Sequence, residues 1–339
     1  MTNRPLLPWV VGTSGSWARK VARQVRLRTV QASAGSGPVV KRRATTQGNA
    51  HRKQHGRSRI LRKFHFISGL PRSGSTMLSG ILLQNPRFHA GMTSPVHALV
   101  QAAIRTSSGF ELSVSMTEEK CARLVQGIFN AYYDDAGAAE VIFDTNRNWT
   151  AEMPLLAKLM PDFRMIACVR NPAWIVDSVE QLVRRNPLRR SRMFNNDGEH
   201  ATVFTRSEAI LRPDRLVGSA LNALRQGYSG AEARHLLLVE YDILCQRPAE
   251  TMRLIYQFLD EPWFEHDFDA VSYEAEAFDL KLNTPGLHTV RRKVTFEPRE
   301  TILPPDLFKH LAGQAFWRSG HRTKAHAILE KPSSPADPG

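Results

Sequence analysis

The stretch from Phe64 to Leu83, FHFISGLPRSGSTMLSGILL, constrains this chain more than any other. Phe64, Phe66 and Ile67 read as a buried strand. Gly69, Pro71 and Gly74 make a turn, and from Ser75 a helix carries Met77, Leu78, Ile81 and Leu82 on one face. Strand, glycine turn and helix N-terminus form the geometry that cradles a phosphate. Backbone N–H groups point into the concave loop, and the helix dipole favours an anion there. Gly69-x4-Gly74 followed by Ser75-Thr76 has the outline of a Walker A loop, but Ser75 stands where a nucleotide-triphosphate lysine belongs. The cation lies inside the turn instead, at Arg72.

Further strands and helices alternate along the chain. NPRFHAGMTSPVHAL reads as a turn, a short strand and a helix beginning near Pro95. An amphipathic helix lies between Ser115 and Asp135, with Ser115 and Glu118 spaced as a capping box. AEVIFDTNRNW gives a strand ending at Asp144, and Ala151 to Met160 a helix with Pro154 in its first turn. Arg164 to Val169 is the next strand. Arg170 follows it, then Asn171 as N-cap and Pro172 at the first helical position. Residues 184–204 form a polar, Arg-rich insertion, read as a surface loop or lid. Ser207 to Tyr228 is helical with a break at Pro213. HLLLVEY is a buried strand, Pro248 to Leu259 a helix and Leu307 to Phe316 another. Continuous apolar strands separated by helices predict an α/β, P-loop-type three-layer fold, a central parallel sheet flanked by helices. Ligands of such sheets bind beyond the carboxyl ends of the strands, where the phosphate loop, Asp144, Arg170 and Tyr241 all fall.

The net charge of +14 suggests a nucleic-acid binder until its distribution is followed. Residues 1–63 hold 15 Lys or Arg and no acid, so the remainder is close to neutral. That basic stretch lacks apolar periodicity and is expected to be disordered. A targeting segment is a weaker reading, since LLPWVVG is short and broken by proline. A misplaced start codon is a third. No apolar run approaches a transmembrane span. Cys121, Cys168 and Cys245 are three in number and far apart, which suits neither a disulfide framework nor a metal site. The expected compartment is the cytoplasm, with no metal.

In CVRNPAWIVDS Arg170 ends a strand and Ser178 lies two turns along the next helix, a pair that reads either as an anion site or as an Arg capping the sheet edge with a Ser on a solvated helix face. A guanidinium fork plus hydroxyl and backbone donors is the set that holds a dianionic phosphate. With PRSGST, this pattern resembles the sulfotransferases that use 3′-phosphoadenylyl sulfate (PAPS). The loop wording is closest to the tyrosylprotein branch and to bacterial relatives. The resemblance covers roughly residues 64–300. It implies that Arg72, Ser73, Gly74, Ser75 and Thr76 hold the 5′-phosphosulfate, with Arg72 near the bridging oxygen, and that Arg170 and Ser178 hold the 3′-phosphate. It further implies that Tyr241 contacts the nucleotide, and that Arg291, Arg292 and Lys293 form a basic loop over the 3′-phosphate. The domains expected are a disordered basic extension over 1–62, a sulfotransferase domain over 63–318 and a flexible tail over 319–339.

The implied reaction is sulfuryl transfer from PAPS, leaving PAP, to a peptide tyrosine or a glycan, lipid or small-molecule hydroxyl. The resemblance implies a glutamate base about 21 or 22 residues after the loop cation, but Thr93 and Ser94 occupy those positions. The candidates left are Asp144 at a strand end, then His97, with His89 read as core; Arg147 is a candidate contact to an acidic acceptor or to PAPS. Two other classes stay open. A P-loop kinase is disfavoured by Ser75, and a non-enzymatic anion or nucleic-acid binder would rely on the basic extension. Whether the chain forms a homodimer is not written in the sequence.

Overall fold

The computed structural model describes residues 62–273, 276–281, 283–288, 290, 292–319 and 322–330. The expected extension, apart from Arg62, lies outside the described residues, and so does Arg291. Six parallel strands form one sheet in the order β2-β3-β1-β4-β5-β6. They are β1 (Lys63–Gly69), β2 (Phe88–Thr93), β3 (Val141–Thr145), β4 (Met165–Val169), β5 (Leu236–Glu240) and β6 (His326–Ile328).

Strand residues alternate between two apolar cores. Phe66, Ile142, Met165, Ala167, Leu236 and Leu238 face one. Ile67, Val141, Phe143, Ile166, Cys168, Leu237 and Val239 face the other. Both faces are therefore covered, as the continuous apolar strands predict. The second core is closed by helix α1 (Ser75–Leu82), through Leu78, Ile81 and Leu82, and by the helix Pro248–Leu259, through Met252, Ile255 and Leu259. The first core is closed by helix α2 (Pro172–Arg185), through Ile175, Val176 and Val179, and by the helices Glu118–Tyr132 and Gly218–Ser229.

Most expected boundaries hold. Asn171 caps α2 by accepting from the Ala173 amide at 3.0 Å, and Pro172 opens the helix. One cap is corrected. Thr117, in an extended conformation, accepts from the Lys120 amide at 3.3 Å, while the Ser115 hydroxyl donates back to the Leu112 carbonyl. The helix starts at Glu118, so Ser115 lies too far upstream to cap it. A second difference concerns the C-terminus. His326–Ile328, within the segment expected to be a tail, pairs with Leu237–Val239 at the sheet edge. Three residues are too few to show a period, and the strand is made by its partner's open edge.

The three cysteines form no disulfide, and burial pushes the Cys168 thiol up to about 12. Among the described residues no helix is long and apolar enough to cross a membrane.

Strand order reverses at β1, which pairs with β3 on one side and β4 on the other. The loops leaving β1 and β4 therefore open into one crevice, the place where doubly wound sheets bind ligands. Gly69 sets their spacing. Its φ is +102°, and a Cβ there would lie 2.1 Å from the Cys168 carbonyl oxygen. Gly69→Ala should thus cost about 3 kcal/mol or more, the scale of combined backbone strain and overpacking. A urea melt with an unchanged midpoint would contradict this account.

Candidate functional site

The turn after β1 is folded by its own side chains and by its neighbours. The Ser73 hydroxyl donates to the Leu70 carbonyl and, at 2.7 Å, to the Cys168 carbonyl of β4. Arg72 takes a left-handed conformation with φ +59°, unusual for a residue with a side chain. Gly74 is the N-cap of α1 at φ +90°, and a Cβ there would meet the Tyr241 ring at 2.7 Å. Both motif glycines thus have physical reasons: one touches a strand, the other a ring. The turn lines a cavity of about 970 Å³ through Leu70, Pro71, Arg72, Gly74, Ser75, Thr76 and Met77. Ser73 is buried beneath it.

The two expected anion sites meet in this cavity. Arg72 Nε donates to Ser178 Oγ at 3.1 Å, joining the β1 turn to the second turn of α2. Arg170 stacks its guanidinium on the Tyr241 ring, 4.3 Å from the centroid. Its Nε stands 3.7 Å from Asp242 Oδ1, and that buried nitrogen makes no hydrogen bond among the described residues. Burial, and next the nearby Arg170 charge, pull the Arg72 guanidinium down to about 10. Burial likewise lowers Arg170, against the pull of Asp242. A cation held below its ordinary range in a cavity is a cation disposed to take an anionic ligand.

The C-terminal segment supplies further cations, though not as the sequence suggests. Val271 N donates to Arg292 O at 2.7 Å and Val294 N to Phe268 O at 2.8 Å, which pins this segment down. Lys293 lines the cavity and pairs at its exposed end with Asp269 at 3.0 Å. Arg292 is exposed and does not line it. Arg299, missed in the sequence, does line it. Asp177, fully buried on α2 beside Ser178, accepts from the Arg299 guanidinium, from Thr301 Oγ1 at 2.9 Å and from Ile302 N at 2.8 Å. The local sequence FEPRE places an acid on either side of Arg299, so no basic run marks it.

On the opposite wall, Gly91, Met92, Thr93, Thr145 and Arg147 line the cavity. Arg147 is lowered by burial and makes no ion pair among the described residues. Arg185, the last residue of α2, and Arg192 of the polar insertion also line the cavity.

Neither expected base reaches the cavity wall. Asp144 is 0 % exposed, and its carboxylate accepts from Ser94 Oγ at 2.5 Å, Tyr133 Oη at 2.6 Å and Trp149 Nε1 at 2.5 Å. Burial outweighs those donors and raises its carboxyl above the usual range. His97 packs edge-on against Trp149 at 4.8 Å, with Nε2 3.8 Å from Glu152. His89 is half-buried beside Tyr133. Asp144, held by three donors, and His97 both lie off the cavity lining, although a strand end points toward the crevice. Thr93 lines the cavity, whereas Ser94 is tied to Asp144.

A turn of this shape at a sheet switch point, joined to a second guanidinium, presents donors and cations suited to an anionic ligand. A family model described as "Sulfotransferase family" matches residues 65–265. The chain belongs to that family. Similar solved structures include the sulfotransferase domain from the curacin biosynthetic pathway, at 14 % identity over 75 % of this chain and 97 % of that one, with a TM-score of 0.48. The sulfotransferase STF9 from Mycobacterium avium is 13 % identical over 78 % of this chain and 79 % of that one, TM-score 0.43. The sulfotransferase domain of the Synechococcus PCC 7002 olefin synthase is 19 % identical over 76 % of this chain and 95 % of that one, TM-score 0.40. Among curated proteins none matches.

Asp144→Ala would strand three buried donors and should cost about 3 kcal/mol or more. Thermal unfolding should register the loss as a lowered midpoint. A variant as stable as the parent would show that the carboxylate holds nothing together.

Proposed function

We propose that the protein transfers the sulfuryl group of PAPS to an acceptor hydroxyl, a tyrosine of a peptide or a hydroxyl of a glycan, lipid or small molecule. One observation carries the reading: Arg72 of the β1 turn and Ser178 of α2 touch at 3.1 Å, so two phosphate-type sites share one cavity. The sulfotransferase family model spans both.

In this reading the turn amides of Ser73 to Thr76 and the N-terminus of α1 hold the 5′-phosphosulfate. Arg72 lies where charge grows on the bridging oxygen as the sulfur–oxygen bond lengthens. Fixed donors aimed at developing charge lower such barriers without having to reorganise during the reaction. Arg170, Ser178 and Arg299 hold the 3′-phosphate, with Tyr241 packed against the Arg170 guanidinium and Lys293 at the rim. Arg147, Arg185 and Arg192 line the acceptor side, which favours an acceptor carrying negative charge near its hydroxyl. Asp144 and His97 serve the scaffold. We place the reaction in the cytoplasm, and the catalytic unit extends from Lys63 to the β6 strand.

Thermal shift of the purified chain with PAP, with ATP·Mg²⁺ and with buffer alone tests the reading. PAP at 100 times its dissociation constant should stabilise by about 2.7 kcal/mol. That shift should vanish in Arg170→Ala. A shift with ATP·Mg²⁺ and none with PAP would point to phosphoryl transfer instead. Arg72→Ala should keep the fold and lower turnover about 10²–10³-fold, the usual cost of one such donor.

A further inference from the structure

Among the described residues, nothing neutralises the charge of Arg147. Its turn is fixed by β1: Asn146 N donates to the Ile67 carbonyl at 3.0 Å, and Ser68 Oγ donates to the Arg147 carbonyl at 2.9 Å. Thr145 Oγ1 donates to the Gly91 carbonyl at 2.7 Å, which joins the ends of β2 and β3. The guanidinium carried on this anchored turn is largely buried, and burial is the one influence on it. Other cations of the lining are served differently. Arg215 binds Glu199 at 3.1 Å and the Met193 carbonyl at 2.8 Å, and Asp177 takes Arg299. Arg185 and Arg192 are exposed, where water and salt screen them. Two carboxylates also line the cavity, Asp214 and Glu297. Both are exposed, Asp214 lies 3.8 Å from Arg212, and neither weighs on Arg147.

A buried guanidinium without a counter-ion costs stability, and an oxyanion accepting two parallel N–H bonds offsets that cost. Which ligand brings the oxyanion follows from where Arg147 stands. Among cations, Arg170 and Arg299 weigh most on Arg72, and Arg299 also weighs on Arg170. These three make one group, assigned above to the nucleotide. Arg147 belongs to the wall of Gly91, Met92 and Thr93, and its charge is felt, with that of Arg72, at His288 of the same cavity. We propose that Arg147 binds a carboxylate carried by the acceptor, so that the acceptor is a small hydroxy acid. The proposal rests on the sulfotransferase reading above.

A single guanidinium matches a planar monoanion, whereas a dianionic phosphate calls for several donors, as the other end of the cavity supplies. Depth argues for a small molecule. A cation at the rim can meet the flank of a large acceptor, but one below the surface meets a group that enters together with the hydroxyl. The carboxylate then lies against Arg147 and the hydroxyl toward Arg72, so the wall sorts hydroxy compounds by a charge away from the reacting oxygen. A guanidinium serving the scaffold would be missed on removal. One held for a ligand is a burden until the ligand arrives, so Arg147→Met should leave the ligand-free protein as stable as the parent or more so.

The test uses the full chain saturated with PAP and calorimetry with three acids, 4-hydroxyphenylacetate, glucuronate and 3-hydroxybutanoate. Their amides are the neutral controls. At least one acid should bind about 10–100-fold more tightly than its amide, the scale of a charge-assisted pair. Arg147→Met should erase that preference with PAP affinity kept, and Arg147→Lys should restore part of it. No acid preferred over its amide, or a preference kept in Arg147→Met, would overturn the proposal. So would a lowered melting midpoint of ligand-free Arg147→Met, which would make the cation part of the scaffold. A loss of PAP affinity as large as the loss of acid affinity would assign Arg147 to the nucleotide and overturn the acceptor site, leaving the sulfotransferase reading in place. Parent protein that binds no PAP would overturn the sulfotransferase reading and the acceptor site with it.

Discussion

Burying guanidinium groups near one another is costly, and the rest of the site is arranged around that cost. Arg72 and Arg170 share one cavity with Arg299, and each of the first two is held below its ordinary range by burial. The protein offsets the repulsion only in part. Ser178 gives Arg72 a hydroxyl, Tyr241 gives Arg170 an aromatic face, and Asp177 takes Arg299 from behind. Asp242 stays 3.7 Å from Arg170, too far for a hydrogen bond. These neighbours orient the cations without neutralising the side that faces the cavity. An anionic ligand placed there would complete the balance, returning as affinity part of the stability given up in the protein alone.

Close backbone approach makes this arrangement rigid. Gly69 lets β1 lie against Cys168 of β4, and Ser73 bonds back to the same carbonyl. Gly74 lets the next turn rest on Tyr241. Arg72 is consequently held in a left-handed conformation by a framework that cannot relax without moving two strands. Strain of this kind persists only where the surroundings over-determine it.

The features legible in the sequence are those encoded over a few residues. Strand, glycine turn and helix lie within Phe64–Leu83, and the Arg170–Ser178 spacing is one strand end and two helical turns. Asn171 and Pro172 mark a helix start by their own chemistry. The features that escaped are made by tertiary contact. Arg299 reaches the cavity because Asp177, more than a hundred residues earlier, gathers its loop. His288 becomes part of the wall through Asp279 and a turn with no periodic signature. β6 exists because β5 offers an edge. Asp144 shows the converse hazard: strand-end position suggests chemistry, yet Ser94, Tyr133 and Trp149 close over it.

Two buried carboxylates divide the scaffold between them. Asp144 ties the turn after β2 to the aromatic residues Tyr133 and Trp149, whereas Asp177 ties the C-terminal segment to α2. No contact between the two clusters is needed for either to hold. Both clusters are nevertheless seated on one apolar core, since Tyr133 and Trp149 pack in it together with Ile175, Val176 and Val179 of α2. A volume change in that core would therefore be felt at both walls of the crevice, because close-packed interiors transmit strain.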